Sequence, residues 1–178
     1  MMIRRFILIM KKFYAASSFQ NIDSVRYVSS KLLNNGFIQT YDWTQNERAS
    51  TVEDLKKIGQ QERNAVMEAD FLIVLLPAGK GSHIEFGIAL SQGKRIYLYS
   101  PTEKVHHMDT TSTFYHLPEV KIVIGSIDNF VKVLIAEEFS SKRGRKSESP
   151  NPFFSCVIPT LSNHVYLANC YHGASKSL

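Results

Sequence analysis

The sequence predicts an α/β fold: a parallel five-stranded sheet with helices on both of its faces. Two observations carry this prediction. Six consecutive apolar residues at 71–76 stand between turn formers, which is typical of a strand buried on both faces. Short apolar segments also alternate along the chain with segments in which apolar residues recur at helical spacing. Strands that alternate with helices in this way form parallel sheets with right-handed crossovers.

The individual elements follow from apolar spacing and from turn residues. The first helix has Val25, Val28, Leu32 and Leu33 at helical spacing, and Asn35-Gly36 ends it. Ser50 or Thr51 is a plausible N-cap of the second helix, whose inward side we expect to hold residues 55, 58, 65, 66 and 69. The predicted strands are 12–17, 37–41, 71–76, 94–100 and 120–124, and the predicted helices are 22–34, 51–68, 82–92 and 126–139.

This order of elements, βαβαβαβ(loop)βα, is that of a flavodoxin-like or Rossmann-like sheet. Ligands of such sheets bind beyond the carboxyl ends of the strands. Polar side chains stand at three of these ends: at 17–18, at 42–43 and at 100–102. The segment 101–117 is long, polar and without periodicity, and loops of that length are usually functional or mobile. We therefore expect the chemistry at this edge of the sheet.

Charge and composition limit the choice of partners. The net charge is +5, but residues 140–178 hold five Lys or Arg against one Glu, and Arg4 and Arg5 stand at the other end. The segment 10–139 is then near neutral, at −1, so we expect no nucleic-acid binding by the domain. No apolar run approaches the roughly eighteen residues that a membrane span needs, so no membrane partner is expected.

The ends of the chain differ in character from its middle. Residues 1–9 are predicted to be an extension, 10–139 the folded domain, and 140–178 a basic and flexible tail. The chain has two cysteines, Cys156 and Cys170, both in this tail and without metal-ligand spacing. This pattern fits a reduced cytoplasmic protein without disulfides.

The segment 71–94 is the most informative part of the sequence. Its strand is followed by Pro77, Gly79 and Gly81, and then by a helix that Gly93 closes. A glycine turn that leads into a helix N-terminus presents free backbone N–H groups to an anion. The same helix is predicted to carry Glu85 in its first turn, where a ligand would lie. Glu85 could act on a sugar as a nucleophile, or could merely stabilise the helix dipole.

Other motifs and residues are weaker. The turn has neither the GxxxxGK[ST] order nor the GxGxxG spacing, and no GxSxG elbow is present. His106-His107 with Asp109 is better explained as a solvated loop than as a metal site, so no metal and no cofactor is expected. Asp42 could serve in acid–base chemistry or could cap the next turn. Glu62 could reach a pocket or could face solvent.

At these residues the chain resembles the nucleoside 2-deoxyribosyltransferase family. The matching segments are KKFYAASSF, YDW, EADFLIVLLP and GSHIEFGIALSQGK, which together span about residues 10–138. The resemblance implies a flavodoxin-like sheet, and a glutamate nucleophile, Glu85, that attacks the anomeric carbon of a deoxyribose. It also implies an aromatic residue, Tyr14, beside that nucleophile. It further implies a symmetric homodimer or larger homo-oligomer, with Ser112 in the long loop as a candidate contribution to the neighbour's site.

The chain departs from the family at two positions. Gly79 stands where the transferases have an acidic residue, so Asp42, Glu62 or His83 are the alternatives for proton donation. Phe19 stands where a related branch, which hydrolyses deoxynucleoside 5′-monophosphates, has an arginine. The turn also resembles the PGGxGTxxE signature of cytokinin-activating phosphoribohydrolases, which likewise cleave N-glycosidic bonds.

The sequence therefore predicts an enzyme that cleaves or exchanges the N-glycosidic bond of a nucleoside or nucleotide. The alternative is a non-catalytic module that senses a nucleotide or a sugar phosphate in the same pocket. The expected catalytic residues are Glu85, Tyr14 and Asp42. The expected substrate-binding residues are Ser17, Ser18, Trp43, Glu62, Gly79, Gly81, Ser82, His83 and Ser112.

Overall fold

A computed structural model describes residues 10–141 of the chain. The predicted extension 1–9 and the predicted tail from residue 142 onward, with both cysteines, lie outside the described residues.

The centre of the domain is a five-stranded sheet in which every pair of neighbours is parallel. Its strands are β1 (Lys12–Ala16), β2 (Ile38–Gln39), β3 (Phe71–Leu75), β4 (Arg95–Ser100) and β5 (Val120–Ile124), in the spatial order β2-β1-β3-β4-β5. All five residues of β3 are buried, as the unbroken apolar run predicts. The predicted α/β fold is confirmed.

Four helices cover the two faces of the sheet. They are α1 (Ile22–Asn34), α2 (Val52–Glu68), α3 (Lys80–Ser91) and α4 (Ile127–Ser140). The contacts pair α1 with α4 on one face, and α2 with α3 on the other. A capping box begins α2, because the Thr51 side chain accepts from the Asp54 N–H while the Asp54 carboxylate accepts from the Thr51 N–H.

Three details differ from the sequence-based expectation. The strand β2 is only two residues long, since it lies at the sheet edge and pairs with β1 alone. The helix α3 begins at Lys80 instead of residue 82, because Gly79 is extended (φ −87°, ψ 179°) and serves as the N-cap. Glu85 therefore lies in the second turn of α3, not the first. Leu55 was expected on the inward side of α2, but 61% of it is exposed.

The long segment after β4 has more order than its sequence indicates. It contains two short 3-10 turns, Glu103–His106 and Thr113–His116, and each contributes one buried side chain, Val105 and Tyr115. Among the described residues, no helix is both long and apolar enough to cross a membrane.

A cluster of charged side chains lies near the amino ends of the strands. The Glu138 carboxylate is fully buried and accepts hydrogen bonds from Lys11 (2.7 Å), Arg95 (3.0 Å) and Tyr97 (2.7 Å). The Lys11 ammonium also donates to the Ser141 hydroxyl at 2.8 Å. This cluster joins the end of α4 to the start of β1.

Candidate active site

A cavity of about 490 Å³ lies beyond the carboxyl ends of β1 and β3. After β1 the chain forms β2, which pairs with one side of β1, and then β3, which pairs with the other side. The cavity therefore lies at the point where the order of the strands reverses. Its lining residues come from four segments of the chain: Ser17, Ser18 and Phe19; Trp43 and 46–49; Leu55, Ile58, Gly59 and Glu62; and Gly79, Lys80, Gly81, Ser82 and Glu85.

Glu85 stands on the wall of this cavity with Tyr14 behind it. The Tyr14 hydroxyl donates a hydrogen bond of 2.7 Å to Oε1 of Glu85. Tyr14 is fully buried in β1, and Glu85 is 7% exposed. Because β1 and α3 are both fixed in the core, this bond holds one carboxylate oxygen in place and leaves Oε2 without a protein partner among residues 10–141.

Burial controls the protonation of this pair. Desolvation raises the pKa of the Glu85 carboxyl to about 7, the hydrogen bond from Tyr14 opposes that rise, and the charge of Glu62 adds to it. Desolvation, and then the charge of Glu85 beside it, raises the pKa of the Tyr14 hydroxyl far above its ordinary value. Tyr14 therefore remains a hydrogen-bond donor while Glu85 ionises close to neutral pH.

Two serines fix the floor of the cavity. The Ser82 hydroxyl in the first turn of α3 donates to the Ser17 carbonyl at 2.8 Å, and the Ser17 hydroxyl donates to the Leu75 carbonyl at 2.7 Å. Asn21 joins the same network through its side-chain amide, which donates to the Ser17 hydroxyl and to the Pro77 carbonyl, both at 3.0 Å. The loop after β1 and the N-terminus of α3 are thereby tied together around Glu85.

An aromatic wall faces the cavity. The Trp43 indole N–H donates to the Ala15 carbonyl at 2.7 Å, which fixes the ring. Phe19 meets this ring edge-on, with centroids 5.5 Å apart and planes at 85°. Trp43 is 5% exposed and Phe19 is 71% exposed, so the Trp43 ring is held inside the protein while the Phe19 ring faces solvent. Such a wall suits a flat ring that stacks against it.

The helix α2 supplies a second carboxylate. Leu55, Ile58, Gly59 and Glu62 stand at positions i, i+3, i+4 and i+7, so they share one helix face, and that face lines the cavity. Glu62 is half-buried there, and desolvation raises its pKa. The seven-residue spacing of Leu55 and Glu62 is visible in the sequence, and it predicts that both side chains stand on the same face of α2.

The mouth of the cavity carries positive charge that the sequence analysis did not single out. Arg48 and Lys80 both line the cavity and are exposed, and neither side chain forms a hydrogen bond or ion pair within residues 10–141. The exposed Glu47 lines the cavity beside Arg48, so these two cations outnumber the one exposed carboxylate there. No side chain caps the N-terminus of α3. The buried Ser18 hydroxyl likewise has no partner within that range. These groups together can receive an anion at the mouth of the cavity.

Not every predicted site residue reaches the cavity. The structure brings together Ser17, Ser18, Trp43, Glu62, Gly79, Gly81, Ser82 and Glu85, with Tyr14 directly behind Glu85. Asp42 is not among the lining residues. Its carboxylate instead caps the following turn, accepting from the Thr44 N–H (3.1 Å), the Thr44 hydroxyl (2.7 Å) and the Gln45 amide (3.2 Å).

His83 and Ser112 also lie away from Glu85. The His83 ring contacts the Gly79 carbonyl and the Tyr115 hydroxyl, both at 2.7 Å, on the far side of the glycine turn. Ser112 lines a separate hollow with His83, Phe86 and Phe114. In the sequence His83 is only two residues from Glu85, but residues two apart on a helix point in different directions, which separates them.

Within the described part of the chain, no group of three or more His, Cys, Asp and Glu residues is placed to hold a metal ion. The charged residues that line the cavity are three glutamates, Glu47, Glu62 and Glu85, and two cations, Arg48 and Lys80. The hydroxyls of Ser17, Ser18 and Ser82 also line it.

The comparisons with known proteins add support for the fold. No family model matches the sequence, and no curated protein matches it. Among solved structures, the chain is similar to a CMP N-glycosidase, BcmB, from Clostridium botulinum, with a TM-score of 0.54 and 18% sequence identity. The match covers 71% of this chain and 99% of that one. The flavodoxin-like architecture is therefore shared with a solved N-glycosidase, at low sequence identity.

Proposed function

We propose that this protein cleaves the N-glycosidic bond of a nucleoside or nucleotide, with Glu85 as the nucleophile. In the first step Oε2 of Glu85 forms a bond to the anomeric carbon, while the bond from that carbon to the base nitrogen breaks. The leaving nitrogen takes both bonding electrons and then a proton. Water, or a second base, displaces Glu85 in the second step.

The observation that carries this proposal is the buried pair of Tyr14 and Glu85. The Tyr14 hydroxyl holds Oε1 at 2.7 Å, and Oε2, which has no hydrogen-bond partner among residues 10–141, is the proposed attacking atom. Because burial brings the pKa of Glu85 to about 7, a substantial fraction of the carboxylate is ionised at neutral pH while little water surrounds it. A poorly solvated carboxylate is the state in which this group attacks most readily.

Glu62 is proposed to handle the proton of the leaving base. It lines the same cavity from α2 and is half-buried there, so its carboxyl group can exchange a proton with a base bound in the cavity. After it protonates the base nitrogen, the resulting carboxylate can activate the incoming water. This division gives the cavity one carboxylate for attack and one for proton transfer, as in other glycosidic cleavages.

The mouth of the cavity favours a substrate with a phosphate. Arg48, Lys80, the uncapped N-terminus of α3 and the orphaned Ser18 hydroxyl are all suited to phosphate oxygens. The aromatic wall of Trp43 and Phe19 would then receive the base. A nucleoside 5′-monophosphate, which has both groups, is the proposed substrate class. The solved CMP N-glycosidase with a similar fold acts on a molecule of this class, as its name states.

A homodimer or larger homo-oligomer remains part of the proposal. Ile84 on α3 is 67% exposed and Phe114 in the neighbouring loop is 58% exposed, which is a high exposure for such large apolar side chains. Light scattering on the full chain would give its mass in solution.

The deciding experiment incubates the full chain with a panel of nucleosides and their 5′-monophosphates, with and without an added free base, and separates the products by chromatography. Release of a base supports a hydrolase, and a new nucleoside or nucleotide supports a transferase. Glu85→Gln should abolish either product, while Glu119→Gln, a change of an exposed glutamate outside the cavity, should not.

Activity that survives Glu85→Gln would contradict the nucleophile. Thermal stabilisation by a nucleotide that is never converted would instead favour the non-catalytic sensing module.

A further inference from the structure

A second cavity, of about 510 Å³, lies beside the active cavity on the other side of the loop between β3 and α3. Its walls come from that loop, from His83 of α3, from the end of β4 and from the segment after β4, which includes Tyr115. No residue lines both cavities. Its volume falls in the range of pockets that hold small organic ligands. The N-glycosidic cleavage proposed above does not use it.

We propose that this second cavity is a binding site for a compact aromatic or heteroaromatic anion that also carries a hydrogen-bond donor. The inference does not rest on the proposed activity.

The charge of the lining residues selects an anion. Lys104 is exposed at the mouth, and its ammonium forms no hydrogen bond or ion pair within residues 10–141. No aspartate or glutamate is among the residues of the described chain that line this cavity. The active cavity differs sharply, because three glutamates line it. The second cavity therefore lacks the carboxylates that would repel a bound anion.

Much of the lining is apolar, which favours a ligand with an apolar body. Five apolar residues line the cavity: Leu76, Pro77, Ala78, Pro101 and Val105. Val105 is 2% exposed, so the cavity floor is part of the packed core. A ring placed between these side chains would lose little mobility of its own and would displace water from apolar surface.

The hydrogen bonds of His83 determine what Tyr115 can offer. The Gly79 carbonyl can only accept, so Nδ1 of His83 carries the hydrogen of their 2.7 Å bond. In the neutral ring Nε2 then accepts, and the Tyr115 hydroxyl donates to it at 2.7 Å. The tyrosine oxygen keeps lone pairs for a donor on the ligand. This chain of bonds also reaches Gly79, which lines the active cavity.

The test uses 4-hydroxybenzoate as the probe, with 4-hydroxybenzamide as its uncharged counterpart. Backbone amide shifts of the isotope-labelled full chain are followed by NMR during titration. We expect saturable shifts at Ala78, Thr102 and Val105, with weaker binding of the amide. Lys104→Gln should weaken binding of the acid by about fivefold, the upper end of what one exposed ion pair supplies. Lys132→Gln removes the same charge on α4, away from both cavities, and should leave it unchanged.

The proposal is overturned if no saturable shifts occur, if they cluster instead at Ser18 and Gly81, or if Lys104→Gln and Lys132→Gln bind the acid equally. The titration is repeated with Glu85→Gln, which should bind the probe as the unchanged chain does. Because no turnover is needed, a failure here and a failure of the proposed cleavage are separate results.

Discussion

Replacement of Glu85 by glutamine should make the folded protein more stable at alkaline pH. Glutamine has nearly the same shape as glutamate and keeps an oxygen that accepts from Tyr14, but it cannot ionise. Glu85 is only 7% exposed, so its ionisation within the fold is opposed by lost hydration. Glu85→Gln removes this cost of ionisation, and because the side chains have nearly the same size it leaves no cavity.

The magnitude follows from the two pKa values of the carboxyl group. The folded state raises the pKa of Glu85 from 4.5 to about 7, so between these values the folded protein holds a proton that the unfolded chain has lost. Stability therefore falls as pH rises through this window. Integrated from pH 5 to pH 8, this loss is roughly 2 to 3 kcal/mol, and Glu85→Gln should not incur it.

Urea denaturation at several pH values between 5 and 8 measures this difference. The stability gap between Glu85→Gln and the unchanged chain should widen in favour of the variant as pH rises. Glu119→Gln is the matched control, since Glu119 is exposed and its replacement should leave the gap flat. A gap for Glu85→Gln that is independent of pH would refute the argument that burial raises the pKa of Glu85.

Three further predictions concern single side chains. Tyr14→Phe removes the hydrogen bond that lowers the Glu85 pKa, so the acid limb of kcat/KM against pH should move to higher pH. Glu138→Ala leaves the Lys11 ammonium buried without its carboxylate and should cost about 3 to 5 kcal/mol of unfolding free energy in urea, whereas Glu137→Ala, which breaks only the surface pair with Lys121, should cost less than about 1 kcal/mol. Thr51→Ala removes half of the capping box of α2 and should lower the thermal midpoint by an amount equivalent to about 1 kcal/mol, which Thr51→Ser should largely restore.

Much of the fold could be predicted because its signals are local. The apolar run of β3, the helical spacing in α1 and the turn residue Gly36, with a φ of +80°, act within a few residues of each other. The start of α3 was placed two residues late, because glycines at 79 and 81 indicated a turn. In the folded chain Gly81 is helical, and the neighbouring Ser82 hydroxyl ties this turn to the Ser17 carbonyl after β1, a contact between segments far apart in the sequence.

The part of the candidate site that comes from one short segment of the chain could be predicted. Glu85, Gly79, Gly81 and Ser82 stand within seven residues of one another, and all four line the cavity. Arg48 belongs to a loop whose composition has no marker for a site, and only the tertiary fold brings it to the mouth. Asp42 shows the converse: a polar residue at a strand end whose hydrogen bonds are all satisfied by its own turn.

The bond between Lys11 and Ser141 has a practical consequence for engineering. It brings the first and last parts of the described domain together, at the sheet edge remote from the cavity. A short linker could therefore join residues 10 and 141 directly, with new ends opened in an exposed turn at the amino ends of the strands, such as the one at Gly36 between α1 and β2. Such a circular permutant should retain its cavity, because the linker would lie at the opposite ends of the strands.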